Sequence, residues 1–330
     1  KDRIAGVSAY PKMELKNRGK GNPFRAALFG IKEFVENSFR RVLAPEKAAF
    51  LSGLMLGDTA EFSKEFKEKM SVTGTSHLVA LSGYNVTIIA KAVLAGLVFF
   101  LSRRKALVCA GIAVAAFVIM TGAEASVVRA AIMAGIILLA EQSSRLYNAR
   151  NAIAVAAFLM AVVNPKVLRW DLGFQLSFLA LLGLVYLRPA LAKLFKWNPE
   201  PGFFAWRENL FTTLAAQIAV LPILAASFGM FSPISLVTNV LILGAVPATM
   251  VLGALLVAAS VISSFFATIM GAIVNLFLSY EIAVITFFSQ IPFAISLSFF
   301  GVIFVLFYYF VLGLFIWKMK SHHPVTARRS

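Results

Sequence analysis

Apolar positions in this chain change their spacing twice, and the changes divide it. Phe24, Leu28, Ile31, Val35, Phe39 and Val42 recur at helical intervals, with Arg25, Lys32, Glu33, Glu36, Arg40 and Arg41 on the other face. That spacing predicts an amphipathic helix ending at Pro45, too charged to span a bilayer and suited to lie in its interface. Packing on a soluble domain is the alternative. Residues 46–56 follow as a short apolar helix with Gly53 inside it and Gly57 at its end. Beyond Gly57-Asp58-Thr59, Ser63 is placed to cap a charged helix running to about Met70.

From Tyr84 onward polar residues become rare. Apolar segments are predicted at 84–101, 106–120, 127–140, 151–163, 174–187, 210–228, 236–266, 268–289 and 296–317. Several are shorter than the ~20 residues of a full crossing. Between residues 236 and 290 the only charge is Glu281, and Asn239, Gly244, Pro247 and Ser263-Ser264 predict broken or re-entrant helices. Before Phe24, residues 4–10 are β-like and 16–22 read as a basic loop. The expected fold is an all-α polytopic integral membrane protein with about nine transmembrane or re-entrant helices. An interfacial amphipathic helix and a short β-like amino-terminal remnant precede them. The expected divisions are 1–22, the remnant or linker; 23–83, interfacial helices and a polar mouth; 84–317, the transmembrane domain; and 318–330, a basic cytoplasmic tail.

Composition strengthens this reading. The chain is 60% hydrophobic and 14% charged, with mean hydropathy +0.84, which excludes an ordinary soluble domain. It opens on Lys1 with no signal-peptide core, so further sequence is expected upstream. A single cysteine, Cys109, rules out a disulfide within the chain. The net charge of +16 fits either basic orienting loops or a nucleic-acid partner. Arg103-Arg104-Lys105, Arg145 and Arg150, Arg188 to Arg207, and Lys318 to Arg329 fall on alternate connections. Placing them in the cytoplasm predicts an inner-membrane protein with its amino-terminal region outside and its carboxyl terminus inside.

Candidate chemistry is sparse. The three histidines, His77, His322 and His323, have no zinc-ligand spacing, and no metal or cofactor is expected. Ala80-Leu81-Ser82-Gly83 is similar to the Gly-x-Ser-Gly box of rhomboid-type membrane proteases. Position 80 is Ala, however, and no later span holds a histidine, which argues against a serine hydrolase using Ser82 and His77. Glu124, Asp171 and Glu281 are far apart in sequence, so no enzyme is expected. Charges at membrane depth are more informative. Lys91, Arg129 and Glu281 each cost about 2.5–3.5 kcal/mol on insertion scales and should face one another or a wet cavity. A buried pair of Glu281 with Lys91 or Arg129 is one reading; a positive conduit attracting phosphate is the other. Asn85, Asp171, Gln175, Gln217, Asn239 and Asn275 suit either.

Several stretches resemble the ComEC family of competence proteins. They are Gly53-Leu54-Met55-Leu56-Gly57-Asp58; Thr73-Gly74-Thr75-Ser76-His77-Leu78-Val79-Ala80-Leu81-Ser82-Gly83-Tyr84-Asn85-Val86; Ser126-Val127-Val128-Arg129-Ala130-Ala131-Ile132-Met133; and Asp171-Leu172-Gly173-Phe174-Gln175-Leu176-Ser177-Phe178. A weaker fifth runs from Phe231-Ser232-Pro233 through Asn239 to Pro247. The resemblance implies passage of single-stranded DNA across the bacterial cytoplasmic membrane during natural transformation. It also implies an oligonucleotide-binding-like domain outside the membrane, of which residues 1–22 resemble the end. Partners implied are an extracellular DNA receptor, membrane lipid and a cytoplasmic ATP-driven motor. No His-x-His-x-Asp-His motif occurs in these residues, so a separate nuclease is expected. Tyr84-Asn85 stands where other members often have Leu-His. The expected DNA path is His77, Ser82, Asn85, Lys91, Arg129, Asp171, Gln175 and Asn239. A secondary transporter for a small anion is the principal alternative, given the interrupted helices near Asn239.

Overall fold

Local chemistry sets the helix boundaries in the first quarter of the chain. α1 (Pro23–Arg40) starts with proline, and Asn22 Oδ1 accepts from the Phe24 N–H at 2.9 Å. α2 (Pro45–Leu56) also starts with proline and stops at Gly57, whose φ of 73° lies in the left-handed region. α3 (Lys64–Val72) is capped by Ser63, whose Oγ accepts from the Phe66 N–H at 3.1 Å. A single turn, α4 (Ser76–Val79), leads into α5 (Gly83–Val98). This computed structural model describes residues 22–81, 83–142, 148–195, 206–228, 230–291, 295–296 and 302–321. The expected β-like run at 4–10 lies outside the described residues.

The remaining helices are α6 (Arg103–Met120), α7 (Ala125–Gln142), α8 (Ala149–Val163), α9 (Val167–Trp170) and α10 (Leu172–Leu182). α10 continues through one π-helical turn at Gly183–Leu187 into α11 (Arg188–Leu194). Then come α12 (Trp206–Phe228), α13 (Ile234–Leu243), α14 (Val246–Ile262), α15 (Ser264–Ser289) and α16 (Val302–Ser321). One antiparallel pair, β1 (Met230–Phe231) with β2 (Ile295–Ser296), ties two connections together. Gly183 allows a close crossing, since a Cβ there would lie 2.7 Å from the Ala215 carbonyl oxygen of α12.

Each apolar segment expected from residue 84 onward contains a helix. Length and hydropathy qualify three of the described helices as crossings: Leu172–Leu194, Glu208–Ser227 and Ser264–Ser289. A fourth is the broken pair α13–α14, bent by 45° at the expected interruption. The other apolar helices are shorter. Phe265, Phe266, Ile269, Ile273, Leu276, Tyr280 and Phe287 stand exposed along α15, as they should where the solvent is hydrocarbon.

α2 departs from an interfacial layer. Nine of its twelve residues, from Ala48 to Leu56, are buried. The helix is packed by α1, α4, α5, α14 and α15, inside the largest apolar cluster of the molecule. Its lack of a polar face is what enclosure on all sides demands. Lys47 Nζ donates to Asn275 Oδ1 and Ser279 Oγ of α15, both at 2.7 Å. Ser260 Oγ of α14 donates to Ser38 Oγ of α1 at 3.0 Å. Small polar links of this kind join helices where no water competes.

α1 is also pinned electrostatically. Lys32 Nζ lies 2.6 Å from Asp58 Oδ2, and Arg40 Nη2 lies 2.6 Å from Glu61 Oε1. The hydrogen bond from Lys32, then the Ala60 N–H, holds the Asp58 carboxyl below the usual aspartate range. Burial pushes the Glu36 carboxyl up, against the pull of Lys32 and Arg40. Because the folded pKa of Asp58 is depressed, its contribution is present above the unfolded value and is lost as pH falls through the folded one. A double-mutant cycle of Lys32→Met and Asp58→Asn, read by thermal unfolding, should give a coupling of about 1 kcal/mol or less at neutral pH, because the pair is partly exposed. The coupling should fade below about pH 4. Gly57→Ala should destabilise the fold by about 1–2 kcal/mol through its left-handed backbone alone, and a Cβ there would also meet Leu81 Cδ1 at 2.7 Å.

Candidate functional site

The irregular backbone between α3 and α5 touches four other parts of the molecule. Thr73 and Thr75, both buried, share a hydrogen bond between their hydroxyls at 2.9 Å, and the Thr75 N–H reaches the Met70 carbonyl. Gly74, at φ 66°, sits against Ser235 at the start of α13, where a side chain would clash. Ser126 Oγ, in the first turn of α7, donates to the Leu81 carbonyl. Asn85, only 2% exposed, donates from Nδ2 to the Leu54 carbonyl of α2 at 3.1 Å and the Leu78 carbonyl of α4 at 3.0 Å. The starts of α5, α7 and α13 are thus held to one segment.

Arg129 lies beside it. Its side chain is 8% exposed, and its guanidinium stands 5.5 Å from the Phe178 ring of α10. Its Nη2 is 3.3 Å from the point where a Cβ on Gly83 would lie. Nη1 is buried without a hydrogen-bond partner, and no described carboxylate pairs with the side chain.

The other expected path residues are placed less uniformly. His77 is exposed, and its Nδ1 donates to the Gly74 carbonyl at 2.9 Å. Ser82 lies outside the described residues. Lys91 is exposed on α5. Asp171 caps α10, accepting from the Phe174 N–H at 2.9 Å. Gln175 donates to the Leu168 and Arg169 carbonyls at 2.9 and 3.1 Å. Asn239 is buried in α13, its Oδ1 without a partner. The expected pair of Glu281 with Lys91 or Arg129 does not form. Glu281 Oε1 accepts instead from Thr249 Oγ1 at 2.7 Å, and Oε2 has no partner. A hydroxyl on the adjacent α14 reaches this carboxyl where no cation does.

The structure thus brings Asn85 and Arg129 together at the starts of α5 and α7 and sets α10 against Arg129 through Phe178. Asp171 and Gln175 bond instead to backbone of α9 and α10, His77 bonds to Gly74, and Lys91 sits further along α5. Packing runs from α5 to α7, α10, α12, α13, α14 and back to α5, so the order of neighbours closes on itself. Gln217 of α12 donates to Ser235 Oγ at 2.8 Å within that ring. An open pocket of about 310 Å³ lies beside the hub, lined by Gly57, Thr59, Lys67, Ser76 and Glu124 among others. It does not include Arg129, Lys91 or Asn239. Among the described residues no three of His, Cys, Asp or Glu are gathered for a metal ion. Phe178, Ser126 and Lys47 were not among the expected path residues, although Ser126 and Phe178 lie in the quoted stretches. Ser126 had a further signal, three residues before Arg129 on one helix face.

An apolar helical exterior, a broken span and buried polar links between helices define a polytopic helical membrane protein. This chain belongs to the competence protein family, whose sequence profile matches residues 54–321. It is similar to ComE operon protein 3 of Bacillus subtilis (strain 168), 25% identical over 237 residues. That alignment covers 70% of this chain and 29% of the relative, so the chain spans less than a third of the relative's length. No solved structure matches. The ComEC resemblance seen in the motifs is thereby shown.

Asn85→Leu should destabilise the protein by about 1–3 kcal/mol, since two buried carbonyls lose their donor. Thermal unfolding of the solubilised variant measures this, and an unchanged midpoint would remove Asn85 from the hub's framework.

Proposed function

We propose that this chain builds the membrane passage for single-stranded DNA during natural transformation, in the bacterial cytoplasmic membrane. The observation that carries the reading is Arg129, a cation enclosed where helix starts meet and lacking a counter-charge among the described residues. A polyanion is the partner such a group lacks. The closed succession of α5, α7, α10, α12, α13 and α14, with Asn85, Arg129, Gln217 and Asn239 on its members, supports a route within the bundle. Residues 84–317 form the transmembrane domain with nine crossings, several of them made by helices shorter than a full span. Loop charge supports an amino-terminal region outside and a cytoplasmic tail at 318–330. Residues 1–22 are the remnant of a domain outside the membrane or a linker, and 23–83 brace the mouth. A surface receptor delivers the strand and a cytoplasmic ATP-driven motor pulls it, while a separate nuclease degrades the complementary strand.

The α13–α14 break, with Asn239 buried beside it, favours a second reading, a secondary transporter for a small anion. Reconstituted vesicles separate the two. The conduit reading expects uptake of labelled single strands, whereas uptake of small anions alone would establish the transporter. Arg129→Ala should abolish transformation, a loss of at least a hundredfold by analogy with other buried charged contacts, with membrane insertion intact. Unchanged DNA uptake would remove Arg129 from the path.

A further inference from the structure

We propose that Glu281 is a proton-binding site of the bundle, filled in this conformation and emptied when the break between α13 and α14 opens. The carboxyl lies well inside α15 and is fully buried. Its Oε1 is 2.7 Å from Thr249 Oγ1, and its Oε2 has no partner among the described residues. The same hydroxyl is 3.2 Å from the carbonyl of Ala245, which sits in the break itself. A hydroxyl has one proton to give. With Glu281 ionised, Thr249 would give that proton to the carboxylate, withdraw its hydroxyl from Ala245 and still leave Oε2 bare beside a full charge. With Glu281 a carboxylic acid, the contact runs the other way: the acid O–H donates to Thr249 Oγ1, and Thr249 donates on to Ala245. Every hydrogen in that chain then has an acceptor. The one atom left over is a neutral carbonyl oxygen, the least costly kind of orphan.

No described cation stands in for the proton. α13 and α14, both packed on α15, carry no ionisable side chain. α2 brings an exposed Glu46 and Lys47, whose ammonium is held by Asn275 and Ser279. α3 brings Lys64, Glu65, Lys67, Glu68 and Lys69, all exposed except Lys69, which pairs with Glu65 at 2.7 Å. Lys91 of α5 is exposed. The neighbouring Tyr280 donates its hydroxyl to the Leu241 carbonyl of α13 at 3.1 Å. Consecutive residues of α15 therefore hold both sides of the break, Tyr280 the end of α13 and Glu281, through Thr249, the step into α14. Deprotonation breaks the acid O–H bond, passes H+ to water entering at the break and turns the Thr249 hydroxyl away from Ala245. The bound proton thus favours the 45° bend, and its departure favours another setting of the two helices. A carboxyl whose charge follows the bend of a broken span is what a proton-coupled passage requires. What the proton is coupled to rests on the conduit reading; the site itself does not.

The test uses the whole chain in nanodiscs, with infrared difference spectra between the wild type and Glu281→Gln at neutral pH. The expected result is the carbonyl band of a protonated carboxyl, shifted by heavy water and lost in Glu281→Gln. Thr249→Val keeps the acid and removes its acceptor, so the band should move to higher frequency rather than vanish. Thermal unfolding of both variants reports that they fold. Carboxylate bands in place of the acid band would overturn the site. Conversion of acid to carboxylate by sodium ions at fixed pH would assign the carboxyl to a monovalent cation and overturn the proton assignment. In vesicles, a gradient acid on the outside should speed uptake of labelled single strands by the wild type and leave Glu281→Gln unaffected; an equal response in both would overturn the coupling. An acid band in a wild type that takes up no strand would keep the site and defeat the conduit, whereas strand uptake without the band would do the reverse.

Discussion

Hydrogen bonds that cannot be made to water must be made to protein, and here that requirement falls hardest on residues 73–85. A stretch with only a single helical turn between two breaks, entering an apolar bundle, leaves amides and carbonyls that lipid cannot satisfy. The Asn85 carboxamide closes the Leu78 carbonyl within it and the Leu54 carbonyl of α2 with one nitrogen. Ser126 closes Leu81, and Thr73 and Thr75 close the end of α3. Each bond also fixes a neighbour, so satisfying this backbone and positioning α2, α4, α5 and α7 are one event.

The rest of the architecture follows. α2 is the element the hub grips, and it is buried because helices surround it. α14 and α15 pack on that buried helix, and their outer faces carry the apolar residues that meet lipid. Small side chains mark the closest approaches, at Gly74 against Ser235, Gly183 against Ala215 and Gly271 against Val42. Arg129 stands apart because its surroundings satisfy its apolar contact and, among the described residues, leave its charge without a counter-ion. Buried charges are normally paired, so a bare one beside an anchored helix end is a place where function is read from physics.

Much of this was legible beforehand. Helical spacing from Phe24 to Val42 marked α1, Ser63 marked the start of α3, and Asn239 to Pro247 marked the break that became a 45° bend. The polar stretch through His77 and Asn85 was visible as the organising segment because polarity there contrasts with all that follows. What sequence could not show was side-chain direction. Asn85, Asp171 and Gln175 looked like lining groups, yet each makes hydrogen bonds to nearby backbone, which periodicity does not reveal. Glu281 looked like a partner for a cation, but its company was decided by α14 folding back on α15. The burial of α2 was equally hidden, since a short helix without a polar face reads alike as a weak span and as a core element.

The most direct test of the central claim is where a passing strand touches the protein. A single strand with photoreactive bases, arrested in reconstituted vesicles and cross-linked, can be mapped by peptide sequencing. The account predicts attachment within residues 75–85 and 125–133, the hub and the helix bearing Arg129. Cross-links confined to α1, or to the lipid-facing side of α15, would contradict it.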